Sequence, residues 1–299
     1  MPEFMSERFE FEGKEGLTAG GLARAVQDEL ARVCGDGEAR AMTRLMFHHL
    51  KGWSVTDMIV NADRPASEYL VSKTAGILRR VLAGEPIQYV LGESRFYGMD
   101  LEVTPAVLIP RPETEELVDM IVRENRRPDL RVLDVGTGSG AIAIALSRNL
   151  PFSKVTAIDI SEEALAVART NAARLHAEIN FMHEDIFRFE PEADSFDIIV
   201  SNPPYIAESE RKDMEPNVLE HEPEGALFVP DDNPLVYYSR ISEIAMTALV
   251  GSGSLYYEIN PNYALQLTTM LEADGFTDVE IRKDISRRDR FAVARKAEK

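Results

Sequence analysis

The sequence predicts an α/β fold: a domain of alternating strands and helices, preceded by a small helical bundle. Three observations carry this. From Arg131 onward, short apolar runs alternate with amphipathic helical stretches, the pattern of a largely parallel sheet covered by helices. The first of those runs opens into a glycine-rich loop and then a helix. Between Thr18 and Leu82, by contrast, apolar residues recur at three- and four-residue spacing with no β alternation.

The bundle is taken as residues 1–83. Ala23–Val33, Glu38–Leu50 and Ala66–Leu82 each carry one apolar face and read as helices. Gly35 to Gly37 separates the first from the second, and Arg64-Pro65 introduces the third. Residues 84–118 read as a connector. Within it, Phe96 to Thr104 reads as two short strands folded around Gly98, a β-hairpin. Pro105, Pro110 and Pro112 then hold an extended path. Thr114, with Glu115 and Glu116 behind it, reads as the start of a helix running through Val122.

Residues 119–299 form the α/β domain. Arg131–Val135 reads as a buried strand, Gly136-Thr137-Gly138-Ser139-Gly140 as a loop, and Ala141–Leu150 as a helix. Glycines let a backbone approach a ligand, and a helix N-terminus offers free N–H groups. Lys154–Asp159 is a second strand, and Ser161 is placed to cap the helix that follows it. An acid at the end of that strand, about 20 residues beyond the glycines, can bind ribose hydroxyls. Phe196–Val200 is a further apolar strand, stopped by Asn202-Pro203-Pro204-Tyr205 because proline gives no N–H to a sheet.

That tetrapeptide reads as a device for an –NH2 group. It sits at a strand's carboxyl end, where open α/β sheets place ligand crevices. The Asn202 side-chain oxygen and the Pro203 carbonyl can each accept one N–H, and Tyr205 can supply a flat wall. A plain turn is the competing reading of the tetrapeptide in isolation. The glycine loop is open as well: Gly136, Gly138 and Ala141 fit a dinucleotide pattern. Against NAD stand the alternating glycines, the absence of a hydride-transfer constellation, and Asp134, expected in the mouth of the loop, where it would repel a pyrophosphate.

Composition bounds the function. The chain has 299 residues, 51 acidic against 33 Lys and Arg, and a net charge of −18. That balance lowers the odds of a duplex DNA partner, since phosphate contacts come from clustered Lys and Arg. No apolar run approaches the roughly 18 residues of a membrane span, and no secretory leader is apparent. The single cysteine, Cys34, suits a reducing cytoplasm. Met5 is expected to be the natural start, with residues 1–4 a cloning remnant. No His/Cys/Asp set has metal-ligand spacing, so no metal is expected. His48, His49, His176, His183 and His221 are assigned ordinary packing or surface roles.

D-x-G-T-G-S-G on the first strand of the sheet, an acid after the second and N-P-P-Y after a later one resemble the class I S-adenosylmethionine-dependent methyltransferases, a Rossmann-like fold. The match narrows with G-E-P-x-Q-Y, G-x-x-x-F-x-G, L-I-P-R-P-E-T-E and E-P-x-x-A-L, so that nearly the whole chain resembles the HemK/PrmC family. The resemblance implies methyl transfer from S-adenosylmethionine, leaving S-adenosylhomocysteine, to the glutamine side-chain amide of Gly-Gly-Gln in class I peptide chain release factors. It implies that Gly136, Thr137, Gly138, Ser139 and Gly140 surround the methionine part of the cofactor. It places Asp159 on the ribose, Asp185 and Ile186 beside the adenine, Asn202 near the methyl, and Asn202, Pro203, Pro204 and Tyr205 at the catalytic step. The helical bundle is expected to help grip the protein substrate, because one glutamine side chain offers little binding area. A nucleic-acid base methyltransferase is the runner-up, and a non-catalytic cofactor-binding module a third reading. Asn260 stands where the family usually has glycine; the expectation is a turn with positive φ, which asparagine tolerates, away from the chemistry.

Overall fold

A computed structural model describes residue 9 and residues 11–298 of the chain; the reading of residues 1–4 as a remnant lies outside them. The chain divides into two compact units, one ending at Gly92 and one beginning at Glu93.

The first unit is helical. Helix α1 runs Ala19–Lys51, with Thr18 accepting from Gly21 N at its start. The break expected at Gly35 is a kink inside this helix: Gly35 alone leaves helical space, at φ 79° and ψ 164°, a conformation open to glycine. Helix α2, Val55–Val60, is absent from the sequence reading. Its signal is local, a reciprocal cap between Ser54 and Asp57, but six residues are too few to show a period. Helix α3 runs Glu68–Leu82 from a Ser67 cap, and a short α4 covers Ile87–Leu91. Leu22, Val26, Leu30, Met46, Phe47, Leu70 and Leu78 make the buried centre.

The second unit opens with strands β1, Glu93–Phe96, and β2, Met99–Glu102, paired antiparallel around Tyr97-Gly98. Both turn residues have positive φ, the backbone that matches strand twist in a two-residue hairpin. Helix α5 spans Pro112–Glu124. It starts two residues before the expected Thr114: Arg111 is the N-cap and Pro112 takes the first turn, where its missing N–H costs nothing. Thereafter come β3 Arg131–Val135, α6 Ala141–Asn149, β4 Lys154–Asp159, α7 Glu162–Arg174, β5 Ile179–His183 and β6 Phe196–Ser201. The strands and helices expected here from periodicity are all present. Ser161 caps α7, its hydroxyl accepting from Ala164 N at 3.1 Å.

Past β6, the short strands β7, Ile206–Ala207, and β8, Phe228–Val229, pair with each other, and α8 covers Pro216–His221 between them. The chain ends with α9 Val236–Ala248, β9 Leu249–Glu258, α10 Ala264–Ala273, β10 Phe276–Lys283 and β11 Asp289–Lys296. The seven-stranded sheet has the order β10-β11-β9-β6-β3-β4-β5. β11 runs antiparallel to both its neighbours, while β9, β6, β3, β4 and β5 are parallel. From β3 the chain builds outward to β4 and β5, then returns to lay β6 and β9 on the other side. The switch therefore falls between the carboxyl ends of β3 and β6, where open sheets leave a crevice.

The α/β fold with a helical N-terminal unit is thus the fold observed. One buried side chain ties the hairpin to that crevice. Asn171 on α7 is fully buried; its amide nitrogen donates to Glu102 O at 2.9 Å and Ser139 O at 3.0 Å, and its oxygen accepts from Glu102 N at 2.7 Å.

Candidate active site

The crevice at the switch point is a cavity of about 300 Å³, at the small end of ligand sites. Because the strands are parallel, their carboxyl ends bring four segments to one edge: Gly136–Ser139 after β3, Asp159 at the end of β4, Glu184–Phe187 after β5 and Asn202–Pro204 after β6. Tyr237 and Ile241 of α9 and Thr114 of α5 complete much of the wall.

The glycine loop is shaped for a ligand. Gly136 and Gly138 have φ of 73° and 54°, and a Cβ added to either would meet no protein atom within 4 Å. It would project into open space beside the cavity, so these two positions leave room for something other than protein. Gly140 differs. It is absent from the cavity lining, and a Cβ there would come within 3.2 Å of Ala168 Cβ on α7. Its glycine allows two helices to pack closely.

Asp159 braces this loop. One carboxylate oxygen accepts from Gly138 N at 2.8 Å and the other from Ser161 N at 2.9 Å. Each oxygen keeps a lone-pair site, so the group can still accept hydroxyls from the cavity. Asp185 and Ile186 line the same end with Ile160, Phe187 and Tyr237, and the Phe187 and Tyr237 rings lie 5.5 Å apart. Arg240 of α9 holds the segment in place, donating to Ile186 O at 3.0 Å and Phe189 O at 2.9 Å. This end is a slot with flat and apolar walls, lined also by the acidic residues Glu184 and Asp185.

Asp134 requires a correction. It is not in the loop's mouth but fully buried beneath it, its Oδ2 accepting from the Thr137 hydroxyl at 2.6 Å and from Ala143 N at 3.1 Å. Its other oxygen has no hydrogen-bond partner. Burial pushes its carboxyl up to about 7, so it does not present a full negative charge to a ligand at neutral pH. The electrostatic argument drawn from it against a pyrophosphate does not hold.

At the other end, Asn202, Pro203 and Pro204 line the cavity, but Tyr205 is not part of its lining. The Tyr205 hydroxyl instead donates to Glu258 Oε1 at 3.1 Å. Burial, and then the neighbouring Glu258 charge, raise its pKa, so it keeps its proton. Glu258, at the end of β9, is buried and also takes the Thr114 hydroxyl at 2.6 Å. The Asn202 amide nitrogen lies 3.3 Å from that same hydroxyl oxygen.

Asn260 is a second correction. Its φ is −76°, ordinary extended backbone, so no positive-φ turn exists there. Nor is it remote: its amide nitrogen donates to Tyr205 O at 3.1 Å and to Glu210 at 2.8 Å, clasping the chain that carries Asn202. Nearby, Arg111 pairs with the buried Glu222, which also accepts from Ile109 N at 3.1 Å. This joins two segments, L-I-P-R-P and E-P-E-G-A-L, that the sequence presents only as separate motifs.

Comparisons with known proteins identify the family. Residues 24–92 match the PrmC N-terminal domain model, and residues 113–227 the methyltransferase small domain model. A release factor glutamine methyltransferase of Bacteroides thetaiotaomicron is 45% identical over 90% of this chain and 97% of its own length. The chain belongs to the release factor glutamine methyltransferase family. Another member, from Flavobacterium psychrophilum, is 42% identical over 82% of this chain and 86% of that protein. A crystal structure of a methyltransferase from Pyrococcus furiosus superposes with a TM-score of 0.51 at 19% identity, covering 73% of this chain and 96% of that one, and supports the fold. The resemblance drawn from the motifs is therefore borne out.

Within this family member, the residues missed by sequence reasoning are Arg111, Thr114, Asn171, Glu222, Tyr237, Arg240 and Glu258. Arg111, Thr114 and Glu222 stood inside motifs already singled out. Glu258 left only a faint trace, a lone acid ending an apolar strand.

Proposed function

We propose that this protein transfers the methyl group of S-adenosylmethionine to the side-chain amide nitrogen of a glutamine, the one in Gly-Gly-Gln of class I release factors. The observation that carries the proposal is the meeting, in one cavity, of a glycine loop with open space at Gly136 and Gly138 and the carboxamide of Asn202. The residues fit the cofactor: Asp159 for ribose hydroxyls, the Ile160–Ile186–Phe187–Tyr237 slot for a flat purine with Asp185 at its rim, and Gly136–Ser139 for the methionine part.

Held by these residues, S-adenosylmethionine would supply an electrophilic methyl carbon, with the carbon–sulfur electron pair leaving on sulfur, and the methylated amide would give up one N–H proton to water. The protein must hold a delocalised, weakly nucleophilic amide nitrogen in line. The Asn202 Oδ1 and the Pro203 carbonyl accept its two N–H groups, contacts that strengthen as charge develops on nitrogen. Fixed orientation of this kind contributes roughly 7–11 kcal/mol in favourable cases. Tyr205 serves this loop through Glu258 rather than as a wall for the substrate.

The helical unit grips the rest of the protein substrate, in this reading. The acidic charge of −18 favours a protein acceptor over duplex DNA. Among the described residues no helix is long and apolar enough to cross a membrane, and the cytoplasm is where a translation factor would be met. The test is Asn202→Ala. We expect kcat to fall on the order of 10²-fold or more while cofactor affinity changes far less. A loss of turnover only in step with cofactor binding would remove Asn202 from the chemistry.

A further inference from the structure

We infer that Thr114 and Glu258 are positioning residues that fix which way round the Asn202 carboxamide sits, so that its oxygen faces the substrate amide. The inference rests on the proposed methyl transfer and concerns how its central residue is set.

The argument is a count of protons. An asparagine side chain is nearly symmetric in shape, and only its hydrogen-bond partners decide which arm is oxygen and which nitrogen. An acceptor for a substrate –NH2 needs the oxygen toward the cavity. The Asn202 carboxamide meets the hydroxyl of Thr114, itself part of the cavity wall, at 3.3 Å. A hydroxyl can donate or accept, so by itself it would tolerate either arm. Here its single proton is committed: Thr114 Oγ1 donates to Glu258 Oε2 at 2.6 Å. The Glu258 carboxylate offers only acceptors, and its second oxygen is taken by the Tyr205 hydroxyl at 3.1 Å. Thr114 Oγ1 is left with lone pairs alone, and only the –NH2 arm of Asn202 can face it. The reversed carboxamide would set two acceptor oxygens against each other in a site where Thr114 is 4% exposed and Glu258 1% exposed.

The three residues come from the start of α5, the end of β6 and the end of β9, separated by 88 and 144 positions in the chain. Burial raises the Glu258 carboxyl above its ordinary value; the Thr114 and Tyr205 hydroxyls, and after them the Arg290 charge, oppose that rise by favouring the acceptor-only carboxylate. The relay thus needs no contact between Glu258 and substrate.

The experiment uses the full chain with a release factor and methyl-labelled S-adenosylmethionine. Wild-type labelling is measured first. If no glutamine is labelled, the proposed function falls and the relay with it. Thr114→Val keeps the shape and removes the hydroxyl. We expect kcat to drop about tenfold to a hundredfold, the scale of a misplaced reacting group, with S-adenosylhomocysteine affinity by calorimetry within about twofold. Thr114→Ser should restore most of the rate. In the Asn202→Ala background, Thr114→Val should change kcat by less than about twofold, because there is no carboxamide left to orient. Glu258→Gln, whose –NH2 can donate to Thr114 and free the hydroxyl proton, should also lower kcat, again only when Asn202 is present. A folded Thr114→Val or Glu258→Gln protein with wild-type kcat overturns the relay while leaving the proposed function standing. So does a Thr114→Val loss equally large with and without Asn202.

Discussion

Asp134→Asn should change how stability depends on pH, by an amount that the structure bounds. Asp134 is fully buried, one oxygen held by Thr137 and Ala143 N and the other without a partner. Burial raises its carboxyl to about 7, against an ordinary value of 3.8 expected in the unfolded chain. The sign follows directly. Between those two values the folded protein keeps a proton that the unfolded chain has released, so stability falls as pH rises through the window and levels off above it. A rise of about 3 pH units at 1.36 kcal/mol each sets a ceiling of about 4 kcal/mol. In the variant, the carboxamide oxygen can accept from Thr137 and Ala143 N without titrating. Its unfolding free energy minus that of wild type should be small near pH 4 and rise toward this ceiling by pH 8. Urea unfolding followed by far-ultraviolet circular dichroism gives the difference at each pH. Fluorescence of Trp53, the single tryptophan and a residue of the helical unit, provides an internal control. A difference constant from pH 4 to 8 would refute the reasoning, and with it the account of Asp134 as a carboxyl held near neutrality.

Other expectations concern binding. Asp159→Ala should weaken S-adenosylmethionine binding by roughly 1–3 kcal/mol, the cost of a lost charged acceptor that also braces Gly138 N; calorimetry checks it, and unchanged affinity removes Asp159 from the site. A protein beginning at Glu93 should still bind S-adenosylmethionine, yet its kcat/KM on a whole release factor should fall at least about tenfold, the loss of roughly 1.4 kcal/mol of substrate binding. Equal kcat/KM would assign the helical unit another purpose.

Much of this architecture was legible in the sequence because it is local. Strands such as Phe196–Ser201 are short apolar runs, α7 announces itself through Ser161, and Gly98 marks its hairpin. The two loops at the switch point were legible for the same reason: glycines and prolines report their own backbone needs. What escaped notice depends on distance along the chain. Nothing in L-I-P-R-P-E-T-E says that Thr114 will donate to a carboxylate 144 residues later, or that Arg111 will meet Glu222. Asp134 was misplaced because a residue at the end of a strand faces either side of the sheet, and only packing decides which. Asn260 was misread because the family's glycine suggested a backbone requirement, whereas here the side chain does the holding.

The central claim is the identity of the methyl acceptor, and direct labelling tests it. The protein is incubated with methyl-labelled S-adenosylmethionine and, separately, with a class I release factor, a glutamine-bearing ribosomal protein and duplex DNA. Mass spectrometry then locates the label. The account predicts methyl on the side-chain nitrogen of the Gly-Gly-Gln glutamine, abolished when that glutamine is replaced, and without the steep salt dependence of a contact made through many phosphates. Efficient labelling of DNA with none on the release factor would contradict it.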